Sequence, residues 1–372
     1  MMAKTVDPIL VGSEIYRGST YGAGHPLRVP RVSTVMDLSR ALGWLPPDRY
    51  RTSPRAKPAA LTLWHTPDYI AALHRAEAEG HVTPEVTARH GLGTLSNPVH
   101  PRVWSRPATS AGGVMWAADH LAHRGGAVYV PGGGTHHGLP DRAAGFCYLN
   151  DPVLGILTLL NAGLSRIVYV DIDAHHCDGV ELAFAGDPRV RMISVHEEGR
   201  WPFTGRLDED AGGSAFNLPV PAGFHDTDMR AVMDGLILPR TAEFQPQAIV
   251  LQCGADALLE DPLSRLALSN NAHWSVVAAL HPLAPRFLVL GGGGYNPWSV
   301  ARCWAGVWAT LSGQEVPDRL PEPARSVLAA LDWGGGGRAG PASDLLDRLR
   351  DAPREGSLDV EIRNRLATLA RR

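Results

Sequence analysis

The chain has 372 residues, 44% of them hydrophobic and 20% charged, with a formal net charge of −3. That is the makeup of a globular protein long enough for one large α/β core. A faintly acidic chain without a Lys/Arg run has no electrostatic footprint for nucleic acid or for an anionic membrane surface, which disfavours direct binding to either.

The N-terminal MMAKTVDPIL has no apolar core followed by a small-residue cleavage site, and no stretch approaches the ~20 apolar residues of a spanning helix. Cys147, Cys177, Cys253 and Cys303 lie far apart without CxxC spacing. They read as reduced thiols, and the protein as cytoplasmic.

In chain order, residues 46–58 are rich in Pro and Arg and are predicted to form a surface loop. Five short β-branched runs follow: AVYV at 127–130, RIVYVDID at 166–173, RMISVHE at 191–197, AIVLQCGAD at 248–256 and RFLVLGGGGY at 286–295. Continuous rather than alternating apolar runs suit parallel strands covered on both faces. DPVLGILTLLNAG, between the first two, has helical spacing and ends on Gly163, which suits a helix C-terminus. WGGGGRAGPAS at 333–343 reads as a linker or long loop, and the charged stretch after it as a helical tail interrupted near Pro353 and Gly356. No internal repeat is visible. Alternating strands and helices predict an α/β fold on a parallel or mainly parallel sheet.

Ligands of such sheets bind outside the carboxyl ends of the strands, and the unusual residues sit at those ends. GGGTHHG follows the first run, DAHHCDG ends the second, GAD ends the fourth and GGGGY closes the fifth. Four such ends in one sheet would converge on one site.

Asp173 and His175 are two residues apart, so at a strand end they can present an oxygen and a nitrogen to one cation. Asp256, at another predicted strand end, supplies a second carboxylate. Two Asp and one His leave a coordination position open, as a catalytic zinc site requires, although iron(II) or another divalent metal suits the same set. Such a cation acidifies a bound water and polarises a carbonyl, so an amide becomes open to attack. An isolated DxH is more often only a loop cap; the second His pair and the remote GAD weigh against that reading.

His136 and His137 after three glycines are poor core material, because burying two imidazoles requires partners for each. One could accept a proton and the other stabilise charge, with Asp171 and Asp178 as orienting carboxylates. The plain alternative is a surface loop that happens to hold two histidines. Tyr295 could donate a hydrogen bond to a developing oxyanion. The glycines before it lack the spacing of a phosphate-binding loop.

THHGLPDRAAGFCYLND (135–151), YVDIDAHHCDGVE (169–181), GADALLEDP (254–262) and GGGGYNPWSVARCW (291–304) resemble, in order, the signature blocks of the histone deacetylase superfamily. GHPLRVPRV near residue 24 and WHTPDYIAAL near residue 64 resemble its earlier blocks, so the likeness runs from about residue 20 to about 320. LSGQEVPDRLPEPAR is more similar to the bacterial acetoin-utilisation branch. The resemblance implies a three-layer arginase/deacetylase-like α/β fold with a central, mainly parallel eight-stranded sheet. Residues 1–320 would form the catalytic domain, and 321–372 a Gly-rich loop and helical tail packed on it.

It also implies zinc held by Asp173, His175 and Asp256, with potassium nearby on backbone carbonyls around Asp171, Asp173, His175, Ser194 and Val195. His137, paired with Asp178, would be general base and then acid. His136, paired with Asp171, would act electrostatically. Tyr295 would polarise the scissile carbonyl and stabilise the oxyanion. Phe146 and Trp201 would wall a channel for an acyl-lysine stem, with Gly145 leaving it room and Leu263 at the rim. The implied substrate is an acylated protein or peptide lysine, or a small acylated amine.

Three positions depart from the family pattern. Cys177 stands where many members have Gly. Ser96 replaces a frequent Asp that clamps a peptide backbone, which implies weaker anchoring. Phe203 replaces a Gly of the channel rim and would reshape the entrance. An acetylpolyamine amidohydrolase would share every catalytic residue, but would use an acidic gatekeeper where this chain has Leu263; Glu197, Glu198 and Glu260 are the acids that could take that part. A silent acyl-lysine binding protein would not need the complete machinery. An arginase-type ureohydrolase would need a carboxylate-rich binuclear cluster, which a single DxH does not suggest.

Overall fold

The computed structural model describes residues 7–18, 21–22, 24–333, 341 and 343–372. Its strands are β1 (Ile9–Gly12), β2 (Tyr50–Thr52), β3 (Gly126–Val130), β4 (Ile167–Asp171), β5 (Val190–Glu197), β6 (Ala215–Val220), β7 (Ala248–Gln252) and β8 (Arg286–Leu290). They form one eight-stranded sheet in the spatial order β2-β1-β3-β8-β7-β4-β5-β6. Every adjacent pair is parallel.

The continuous apolar runs have a direct explanation in the packing. Side chains alternate across a strand, and here both faces are covered. Tyr129, Val168, Val170, Ile249, Leu251, Phe287 and Val289 belong to one core. Their chain neighbours Val128, Val130, Ile167, Tyr169, Val250 and Leu288 belong to the other. Helix Pro297–Ser312 packs on the first face, bringing Trp304 and Trp308 into it fully buried. Helices Ser105–Arg124 and Asp151–Asn161 pack on the second through Val114, Leu121, Val153 and Ile156. Each fully buried aliphatic side chain contributes about 1.5–3 kcal/mol, so the central strands are the fixed frame from which the loops project. The helix predicted from DPVLGILTLLNAG spans Asp151–Asn161, and Gly163 follows it with φ +93°.

Three strands carry no legible period. β1 and β2 are four and three residues long. β6 contains Asn217 and Pro219, which its position at the sheet edge tolerates. Residues 46–58 are therefore not wholly a loop: Tyr50–Thr52 pairs in parallel with β1 as the opposite edge, with Arg51 and Thr52 exposed. A three-residue edge strand is too short to show an alternation.

Of the predicted linker, residues 334–340 and 342 lie outside the described residues. Beyond it come helices Ser343–Asp347 and Val360–Leu369. Leu349, Ile362 and Leu369 are buried, and Arg302 forms a buried ion pair with Asp351 at 2.7 Å. Among the described residues no helix is long and apolar enough to cross a membrane.

Candidate active site

β3, β8, β7 and β4 are consecutive neighbours in the sheet, so the four chemically loaded strand ends lie side by side. Asp171 is the last residue of β4, and Asp173 and His175 follow it. The His175 N–H donates to Asp173 Oδ1 at 3.0 Å, which curls the loop back on itself. Asp256 lies in the short turn after β7, where its Oδ1 accepts the Ala174 N–H at 3.0 Å.

Asp173, His175 and Asp256 each offer a ligand atom, and those atoms all lie within 4.8 Å of one another. His175 Nδ1 is 3.1 Å from Asp173 Oδ1 and 2.9 Å from Asp256 Oδ2. Two buried carboxylates facing one imidazole nitrogen form a donor set suited to a divalent cation. The backbone after β8 closes the far side of the set. A Cβ on Gly293 would sit 2.0 Å from Asp256 Oδ2, so only glycine admits this approach.

The loop after β3 supplies both buried histidines, whose ring centroids are 4.0 Å apart. His136 Nδ1 donates to Asp171 Oδ2 at 2.8 Å, and His137 Nδ1 to Asp178 Oδ1 at 2.6 Å. Similar partners leave the two rings with opposite electrostatics. Burial disfavours the charged form of both. For His136 the charges of Asp171 and Asp173 overcome it and raise the pKa to about 9. For His137 burial prevails, reinforced by the positive charge of His136, and the pKa falls to about 4 despite Asp178. The Asp178 carboxyl is pushed up by burial, but its hydrogen bond and attraction to His137 hold it below the usual range.

Tyr295 is buried, and its backbone N–H donates to Asp261 Oδ2 at 2.7 Å. Burial, then Asp256 and Asp173, keep its phenol protonated well above the ordinary value.

A cleft of about 530 Å³ leads to these groups, with Gly145, Phe146, Trp201, Phe203 and Leu263 among its walls and Ser96 in its lining. His137 meets Trp201 edge-on at 4.6 Å between ring centroids, and Phe146 meets Tyr295 at 5.8 Å. Gly145 has φ +51°, and a Cβ there would lie 2.3 Å from the Trp201 ring. Phe146 and Phe203 themselves have φ +68° and +65°. Bulky residues held in the left-handed region are characteristic of functional sites. Phe203 is 71% exposed and projects at the mouth.

Of the residues singled out from sequence, the triad, the two His–Asp pairs and Tyr295 lie together at the floor, and Gly145, Phe146, Trp201 and Leu263 lie along the cleft. The three acids weighed as gatekeepers do not line it. Glu197 is buried and paired with Arg200 and Arg265, Glu198 pairs with Arg365, and Glu260 with Arg354.

Sequence reasoning passed over the supports. Asn150 donates from Nδ2 to the carbonyls of His136 and Gly138 at 3.0 and 2.9 Å, and its N–H is accepted by His65 Nε2 at 3.0 Å. Arg31 donates to the Gly292 carbonyl at 2.7 Å and, with Tyr16 and Arg106, lines a small inner cavity of about 50 Å³ beyond the triad. Asn150, Asp261 and Arg31 all fall inside the quoted sequence blocks, but a support has no spacing signal of its own.

A family model described as the histone deacetylase domain matches residues 25–311. The chain belongs to the histone deacetylase superfamily. Acetoin utilization protein AcuC of Bacillus subtilis (strain 168) is 33% identical over 329 residues, covering 85% of this chain and 84% of AcuC. It places the present member in the AcuC-like branch. A crystal structure of an HDAC homolog from Aquifex aeolicus matches with a TM-score of 0.93 and 33% identity, covering 98% of this chain and all of that one. An HDAC homolog complexed with SAHA matches at 0.92 and 32%, covering 98% and 100%. A Caenorhabditis elegans relative, 36% identical over 311 residues, is spanned over 61% of its length. This deacetylase-family hydrolase therefore has the α/β arginase/deacetylase-like fold, with a candidate metal-binding triad at the carboxyl ends of its central strands.

Proposed function

We propose that this deacetylase is a zinc-dependent amidohydrolase that removes acetyl or another short acyl group from the side-chain amine of lysine in proteins. The observation that carries the reading is the convergence, at the foot of one aromatic-walled cleft, of a three-donor metal set, a carboxylate-oriented imidazole and a protonated phenol.

Asp173, His175 and Asp256 would hold the zinc, which when bound supplies a Lewis acid for the scissile carbonyl and lowers the pKa of water. With Nδ1 donating to Asp178, neutral His137 presents an unprotonated Nε2. It takes the proton from the attacking water and later returns it to the leaving amine. His136, hydrogen-bonded through Nδ1 to Asp171, acts electrostatically on negative charge beside it. Tyr295 donates its phenolic hydrogen to the oxyanion, and burial keeps that hydrogen in place at neutral pH. Phe146 and Trp201 enclose the aliphatic stem of the substrate, and Gly145 leaves room for it. Residues 1–320 would carry this activity, with 321–372 as a tail on the same unit.

The cleft's acid-free lining disfavours a polyamine, whose second ammonium would find no carboxylate there. The test is turnover of an acetyl-lysine peptide and of acetylated putrescine by purified protein, with zinc added or chelated. Zinc-dependent hydrolysis of the peptide that is lost in His137→Ala and Tyr295→Phe is expected. Turnover of the polyamine alone would replace this reading by its runner-up.

A further inference from the structure

The mouth of the cleft has a charge asymmetry that the chemistry at its floor does not require. Among the described residues lining it there is no Asp or Glu, whereas Arg200 and Arg265 both do. They share one carboxylate. Arg200 is bound in a fork, Nε to Glu197 Oε2 at 2.5 Å and Nη2 to Oε1 at 2.9 Å. Arg265 donates its backbone N–H to Oε2 at 2.9 Å and Nε to Oε1 at 3.1 Å. Two guanidinium groups on one carboxylate leave a net positive charge at the rim.

The two arginines are not equivalent. Arg200 is mostly enclosed, its side chain 22% exposed, and its third contact is the Leu263 carbonyl. Arg265 is 72% exposed. Only its Nε is engaged, and its two Nη groups have no hydrogen-bond partner among the described residues. Glu197, 1% exposed, fixes the base of that guanidinium, which lowers the ordering entropy a ligand contact would otherwise cost. A planar, oriented, unpaired guanidinium edge matches a carboxylate. The remaining rim is apolar, built from Trp201, Phe203 and Leu263.

We propose that Arg265 is a specificity-determining residue which selects acyl-lysine substrates bearing an acidic side chain beside the acyl-lysine. This rests on the acyl-lysine reading above.

Three acetyl-lysine peptides, identical except for Glu, Gln or Lys next to the acetyl-lysine and with that residue placed on either side in turn, provide the test. The Glu peptide is expected to show the lowest KM, about two- to fivefold below Gln on one side, the size of an exposed ion pair. The margin should shrink as salt is raised. Arg265→Gln should level the three, Arg265→Lys should keep their order, and Arg265→Glu should reverse it in favour of Lys. Because Arg265 also touches Glu197, the ratio between peptides is read within each variant, so a general loss of activity does not mimic the effect. Equal KM values across the peptides in the wild type, or a preference that survives in Arg265→Gln, would overturn the assignment while leaving the deacylase reading intact. No turnover of any peptide would overturn both.

Discussion

His137 Nδ1 lies 2.6 Å from Asp178 Oδ1, so an imidazole on the loop after β3 is oriented by the first residue of the helix after β4. That bond fixes the tautomer which leaves the Nε2 lone pair free. Asp178→Asn should therefore lower kcat by roughly 10- to 100-fold, and His137→Ala by about 10²–10⁴, with metal content and thermal unfolding little changed. Steady-state kinetics on an acetyl-lysine peptide decide it, and an Asp178→Asn enzyme of wild-type kcat would remove the orienting role.

Tyr295 and Asp256 are separable by readout. Tyr295→Phe deletes only a hydroxyl and should lower kcat about 10²–10³-fold, with KM and bound metal preserved. Asp256→Asn removes an anionic donor from the triad and should reduce metal stoichiometry itself, measured by elemental analysis after dialysis. Full metal retention by Asp256→Asn would exclude that carboxylate from the ligand set.

Gly145→Ala should obstruct the cleft. The added methyl meets the Trp201 ring at 2.3 Å and His137 Cδ2 at 2.8 Å, on a backbone with φ +51°. Both relief routes, tilting Trp201 or moving the loop, disturb the same wall. A rise in KM of about tenfold or more is expected, since a displacement on the order of 1 Å near reacting groups costs about 100-fold in rate. An unaltered KM would show that this wall yields freely.

His65 links pH to stability. Burial lowers its pKa to about 4, and its Nε2 accepts the Asn150 N–H at 3.0 Å, a bond that only the neutral ring can make. Above about 6.5 both folded and unfolded chains hold it neutral. Between about 6.5 and 4 only the unfolded chain takes up the proton, so its contribution to stability declines as pH falls through that window and levels off below it. One proton corresponds to a slope of about 1.4 kcal/mol per pH unit. His65→Gln should flatten the slope of the unfolding free energy by up to that amount in urea melts at pH 4–6.5. His100, also lowered to about 4 by burial, would keep its own share. An identical slope in the variant would count against the assignment.

The continuous, mainly apolar runs of the chain were enough for five of the eight strands, because strands covered on both faces bury side chains on alternate sides. Val168 and Val170 enter one core and Ile167 and Tyr169 the other, which leaves a continuous run visible without coordinates. β1 and β2, four and three residues long, are too short to show a period, and the edge strand β6 is interrupted by Asn217 and Pro219. The catalytic groups were legible for a related reason: His pairs, a DxH and a glycine run are poor core material, so their position at strand ends already marks a site.

What the linear order leaves open is adjacency. In the chain the four loaded strands run β3, β4, β7, β8; in the sheet they run β3, β8, β7, β4. That permutation brings Asp256 to within 2.9 Å of His175 and the Gly293 backbone against both carboxylates. The charges of the site depend on it too. His136 and His137 are chain neighbours with one carboxylate hydrogen bond each, yet one is pushed to about 9 and the other to about 4. Burial lowers both, but for His136 the charges of Asp171 and of Asp173, 3.8 Å from its Nε2, overcome it, whereas for His137 the positive charge of His136 reinforces it. The family blocks name residue types, but only the folded chain sets how far apart their charges lie and how much water is left between them. Coulomb energies in a low-dielectric interior turn on those two quantities.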